Sequence, residues 1–89
     1  MTDAEKLHRQ VWWGVECMAR HAGLSVSGLA CAAGLDATTF NKSKRVWPNG
    51  TLRWPSLPSL CLAMRVTGVS MRMFVDMAES YQEERGYGE

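Results

Sequence analysis

LACAAGLDATTFNKSKR, residues 29–45, has the spacing of two short helices crossing at a fixed angle. Leu29 and Ala33 stand four apart, so they stack on one buried helix face. Ala30 is small where a second helix would cross close by. Gly34 falls where the first helix must stop, and Gly tolerates the positive φ of a helix C-terminus. Asp36 suits the N-cap of a following helix, with the amides of Thr38 and Thr39 in reach of its carboxylate. Leu35 before that cap and Phe40 four residues after it fit a hydrophobic staple. The expected second helix, residues 36–44, turns Ala37, Thr38, Asn41 and Lys42 outward, with Lys44 and Arg45 behind them. Small, amide-bearing and basic side chains are what a helix in a DNA major groove presents. The same Leu, Ala and Phe positions would also serve as plain core in any small helical domain.

Charge favours the first of these readings. The 89 residues carry a formal net charge of only +1. Residues 1–36 are net −1 and residues 76–89 net −4, while residues 37–75 hold six basic side chains and no acid. A 39-residue window without a carboxylate can form one basic face. The alternative is an ordinary solvated surface.

Outward from the centre, Asp3–His21 reads as a first helix, with Leu7, Val11, Val15, Met18 and Ala22 at helical spacing. Trp12 and Trp13 widen its apolar arc, and Gly23 ends it. An apolar residue or Pro, then a capping residue, then an apolar residue four later recurs at Leu24-Ser25, Leu35-Asp36, Pro55-Ser56 and Val69-Ser70. These starts and the opening helix predict five helices. The fourth, residues 56–67, buries Leu60, Cys61 and Met64. The fifth, residues 70–82, buries Met71, Phe74, Ala78 and Tyr81 and carries a second apolar stripe, Met73 and Met77. That stripe either packs under the first helix or forms a dimer contact that can repack. Residues 43–55 are long for a helix–helix connection, and Pro48-Asn49-Gly50 is a strong turn signal. A long loop or short hairpin is expected there. Trp47 and Trp54 either pin it to the core or insert into a groove or partner.

The residues Leu29-Ala30, Ala33-Gly34-Leu35, the run from Thr38 to Arg45, Arg53-Trp54-Pro55-Ser56 and Thr67-Gly68 resemble the lambda-repressor/Cro-like (XRE) helix-turn-helix family. The similarity is closest to the N-terminal domains of phage-type repressors that also carry a LexA-type peptidase, and it spans roughly the middle half of the chain. Val26 departs from it, being apolar where many relatives have a polar contact residue. No peptidase motif stands in these residues, so self-cleavage is not implied. The resemblance implies five helices and dimerisation through the last of them.

The expectation is therefore an all-α, five-helix, lambda-repressor-like domain over residues 1–82, with a flexible acidic tail over 83–89. Its expected function is a sequence-specific DNA-binding regulator, a repressor or phage-type control protein acting as a homodimer on double-stranded DNA. Ala37, Thr38, Asn41 and Lys42 are the candidates for base edges. Ser27, Lys44, Arg45 and Arg53 are those for phosphates, and Met73 and Met77 those for dimerisation. A protein-interaction module built on the same scaffold is the competing expectation. No nucleophile motif, phosphate loop or metal-ligand spacing points to an enzyme, cofactor or small-molecule ligand. Three cysteines at 17, 31 and 61 give no disulfide framework. No apolar run approaches a membrane span and residues 1–10 do not read as a signal peptide, so a cytoplasmic protein is expected.

Overall fold

Thr2 opens the first helix, α1 (Asp3–His21). Its Oγ1 accepts from the Glu5 amide at 3.1 Å, and the Glu5 carboxylate accepts from the Thr2 amide at 2.8 Å. This reciprocal box satisfies two donors that the first turn leaves open. In the computed structural model, which describes residues 2–82, three further α-helices follow: α2 (Val26–Ala32), α3 (Leu57–Thr67) and α4 (Met71–Glu79). Ser25, Ser56 and Ser70 cap them by accepting from the amides of Gly28, Ser59 and Met73. Gly34 and Gly68 take positive φ, 77° and 75°, where the chain leaves α2 and α3. The expected tail over 83–89 lies outside the described residues.

Four α-helices among the described residues, not five, correct the expectation from cap spacing. Residues 36–44, expected as the third helix, form a turn followed by one 3-10 turn, Lys42–Lys44. Local side chains cut the helical ladder. Asp36 does accept from the Thr38 amide at 2.8 Å, as a cap would. The Thr39 hydroxyl, however, donates to the Asp36 carbonyl at 2.6 Å, competing for the acceptor of the first helical bond. The amides of Thr39, Asn41, Lys44 and Arg45 all bond three residues back instead of four. Asn41 leaves the turn extended, at φ −67° and ψ 156°. Phe40, wholly buried, anchors this turn in the core without a helix around it.

The core gathers Trp12, Val15, Met18 and Ala19 of α1, Leu29 and Ala30 of α2, Phe40, Ala63 and Met64 of α3, Val69, and Phe74 of α4. Along α1 the buried stripe is rotated from the expected one: His8 is buried and Leu7 is 54% exposed. Similar shifts occur on α3, where Cys61 is exposed, and on α4, where Met71 is exposed. Met73 and Met77 are half-buried against the core, so α4 turns Met71 and Val75 to solvent. Gly14 lets α1 and α4 approach closely: a Cβ there would lie 2.8 Å from the Phe74 ring.

The loop before α3 is a minimal hairpin. Val46 and Leu52 form one antiparallel bridge, and the Trp47 amide donates to the Thr51 carbonyl at 2.9 Å. Pro48 and Asn49 occupy the turn, closed by the Gly50 amide on the Trp47 carbonyl at 2.8 Å, with Gly50 at φ 90°.

Candidate nucleic-acid interface

Three residues four apart on α1 hold the base of the hairpin. His8 Nε2 lies 2.8 Å from the Arg45 carbonyl and 3.0 Å from the Arg53 carbonyl. Two acceptors around one ring nitrogen require that nitrogen to carry its hydrogen. Trp12 Nε1 also donates to the Arg53 carbonyl, at 2.9 Å. Glu16 accepts from the Arg45 guanidinium at 2.8 Å, and that guanidinium stacks 5.1 Å from the Trp12 ring centre. The Arg53 amide closes the base by donating to the Arg45 carbonyl at 2.9 Å. Long-range bonds to α1 thus fix a segment that has little regular structure of its own.

This arrangement separates the expected phosphate-binding cations. Arg45 is spent on Glu16 and Trp12, and its Nε is buried without a hydrogen-bond partner. Its guanidinium is therefore part of the clamp, not of the basic surface. Arg53 leans over Trp47, 3.9 Å from the ring centre. Lys42, Lys44 and Arg53 form no salt bridge among the described residues. Lys42 is exposed, and Lys44 and Arg53 are half-buried.

Of the expected base-reading residues, Ala37 and Thr38 are exposed on the 37–40 turn. The Thr38 hydroxyl donates to Asp36 Oδ1 at 2.6 Å. Asn41 is half-buried, and its Oδ1 accepts from the Ser27 hydroxyl at 3.3 Å, joining a base candidate to a phosphate candidate. Thr38, Lys44 and Arg53 come together around a cleft of about 420 Å³ between the turn and the hairpin, which Trp47 and Trp54 also line. Asp36 lines it too. The Thr38 hydroxyl, the Thr38 amide and the Lys44 charge hold its carboxyl below the usual carboxylate range.

The tryptophans divide their work differently from the expectation. Trp12, buried in α1, pins the loop through its indole N–H. Trp54 meets the His8 ring edge-on, at 5.2 Å and 86°, yet stays 45% exposed, and Trp47 is 46% exposed. Trp13 faces the other way, donating to the Ser80 hydroxyl at 2.9 Å and tilting against Tyr81.

Sequence reasoning missed His8, Trp12 and Glu16 as the residues that shape the site. Their mutual spacing of four was the available signal: a polar pair flanking a Trp on one stripe is costly to bury unless something bonds it. Among the described residues no group of three or more His, Cys, Asp or Glu could hold a metal, and no helix is long and apolar enough to cross a membrane. No family model, no curated protein and no solved structure matches the chain.

Proposed function

We propose that this chain is a DNA-binding regulator that engages double-stranded DNA through the turn and hairpin beside α1. One observation carries the reading. Lys42, Lys44 and Arg53 stand without salt-bridge partners on irregular segments that the His8–Trp12–Glu16 stripe holds in place. Cations that form no salt bridge release condensed counterions when they meet a phosphate backbone, and a held loop loses little entropy on binding. Ala37, Thr38 and Lys42 are the exposed side chains nearest to a base-reading role, offered from a turn and a 3-10 turn. Lys44 and Arg53 are assigned to phosphates, and Arg45 to the clamp.

The test is a competition titration of DNA flanking the gene against random duplex, at several salt concentrations. Lys44→Ala and Arg53→Ala should each weaken binding to all sequences alike and lower the salt slope by about one. Lys42→Ala and Thr38→Ala should relax the preference at particular base pairs, by about 1–3 kcal/mol for the lysine. If none of these changes affinity for any duplex, the reading fails.

A second reading, a protein-interaction module, is favoured by a shallow groove between the C-terminal end of α2 and α3, lined by Ala32, Ala33, Leu62 and Val66 with the cation of Arg65 among them. Val66→Asp would abolish partner capture in that case and leave duplex binding unchanged.

A further inference from the structure

We propose that the cleft between the 37–40 turn and the hairpin receives an unstacked base of a single nucleic-acid strand, and that it favours bases carrying an exocyclic amino group. The inference rests on the nucleic-acid reading above and names the part of the polymer that this cleft takes.

The cleft has the size and the walls for such a ligand. Its volume of about 420 Å³ lies within the range of small-molecule sites. Trp47 and Trp54 line it, each with nearly half of its surface in solvent. Arg53 covers one face of Trp47 at 3.9 Å and His8 meets Trp54 at 5.2 Å, so the base stacks on indole surface that these two contacts leave open. Lys44 and Arg53 line the same cleft and supply positive charge for the phosphates on either side of the base. A paired, stacked base within a duplex cannot enter a side pocket without leaving the helix, so the ligand is a single strand or a locally opened one.

Selectivity comes from Asp36. Its Oδ1 accepts both the amide and the hydroxyl of Thr38, at 2.8 and 2.6 Å, while no hydrogen bond of the described residues uses Oδ2. An ionised carboxylate is an acceptor only. It pairs with an amino group, such as that on cytosine N4, and is repelled by a carbonyl oxygen, such as thymine O4. Cytosine and thymine offer rings of the same kind for stacking, so a difference between them isolates this edge contact.

The experiment titrates labelled oligodeoxycytidine, oligothymidine, RNA oligocytidine and a random duplex into the full chain, with oligomers of about ten nucleotides. Anisotropy reports binding and tryptophan emission reports stacking. Oligodeoxycytidine should bind several-fold more tightly than oligothymidine and quench the emission. Asp36→Asn should erase the difference. Trp47→Leu and Trp54→Leu should each weaken single-strand binding about tenfold, with circular dichroism confirming that the helices persist. Tighter binding of the RNA oligomer would identify RNA as the natural strand. Duplex binding without single-strand binding or quenching overturns the cleft proposal and leaves the duplex reading standing. Single-strand binding without duplex binding does the reverse. Equal affinity for the two pyrimidine oligomers, or unchanged affinity in both tryptophan variants, also overturns it.

Discussion

Asp36 and Asn49 make the same local choice. Each accepts through Oδ1 from the amide and the hydroxyl of a threonine two residues on, Thr38 and Thr51. Such turns offer the backbone an alternative to a helix, and the one at Asp36 contributes to the loss of the expected third helix. The Thr38 hydroxyl is the largest cause holding the Asp36 carboxyl down. Thr38→Val should therefore raise that pKa toward the ordinary value, measured by carboxyl NMR titration. Because the folded-state pKa is depressed, what Asp36 adds to the turn is present above the usual carboxylate range. It is lost as pH falls through the folded pKa. A second expectation concerns the clamp. Glu16→Gln leaves Arg45 half-enclosed beside Trp12 without its counter-charge and should cost about 1–3 kcal/mol in denaturant unfolding. It should leave the salt slope of DNA binding unchanged, because the glutamine oxygen can still accept from the guanidinium and the Trp12 ring still covers it, so Arg45 is not released toward a phosphate. In the sequence Arg45 was one more member of a basic run. Nothing local distinguishes a cation that meets phosphate from one that meets a carboxylate 29 positions away.

At the scale of elements, the caps were legible and the helix interiors were not always so. Ser25, Ser56 and Ser70 announce α2, α3 and α4 because capping needs only a side-chain oxygen and the next few amides. Asp36 carries the same signal, but the threonine hydroxyls that follow break the ladder it would begin. Phase along a helix was harder to read. On α1 the run of Leu7, His8, Trp12 and Trp13 allows two apolar stripes, and the choice rests on hydrogen bonds to residues 45 and 53. On α4 the Met stripe lies against the core, so the dimer contact expected there has Met73 and Met77 already half-covered. The α1–α4 crossing gives an expected outcome of its own. Gly14→Ala would gain about 1 kcal/mol in helix propensity. The new methyl would stand 2.8 Å from Phe74, a ring only 7% exposed, and overpacking of that kind costs about 1–3 kcal/mol. Thermal unfolding should show a net loss, and Phe74→Leu in the same chain should recover part of it.

Across the whole molecule, the segregation of charge led to the expectation of one basic face; of its six cations, Lys44 and Arg53 line one cleft together with the Asp36 carboxylate, and Arg45 pairs with Glu16. Chain order could not show that α1, remote in sequence, would be what holds that region. The clamp also bears on how the protein opens. A loop tied to its own neighbours can fray while the rest of a domain stays folded. Here the ties run from residue 8 to residues 45 and 53, and from residue 12 to residue 53. The hairpin base cannot detach without uncovering His8 and Trp12, which belong to the most buried part of the chain. In native-state hydrogen exchange, the Arg53 amide should therefore exchange with the same free energy as amides in the middle of α1, not with that of a surface loop. A protease offered the folded protein should likewise cut residues 45–53 only as often as the entire domain comes apart. Such a region keeps its shape until global unfolding and loses it all at once.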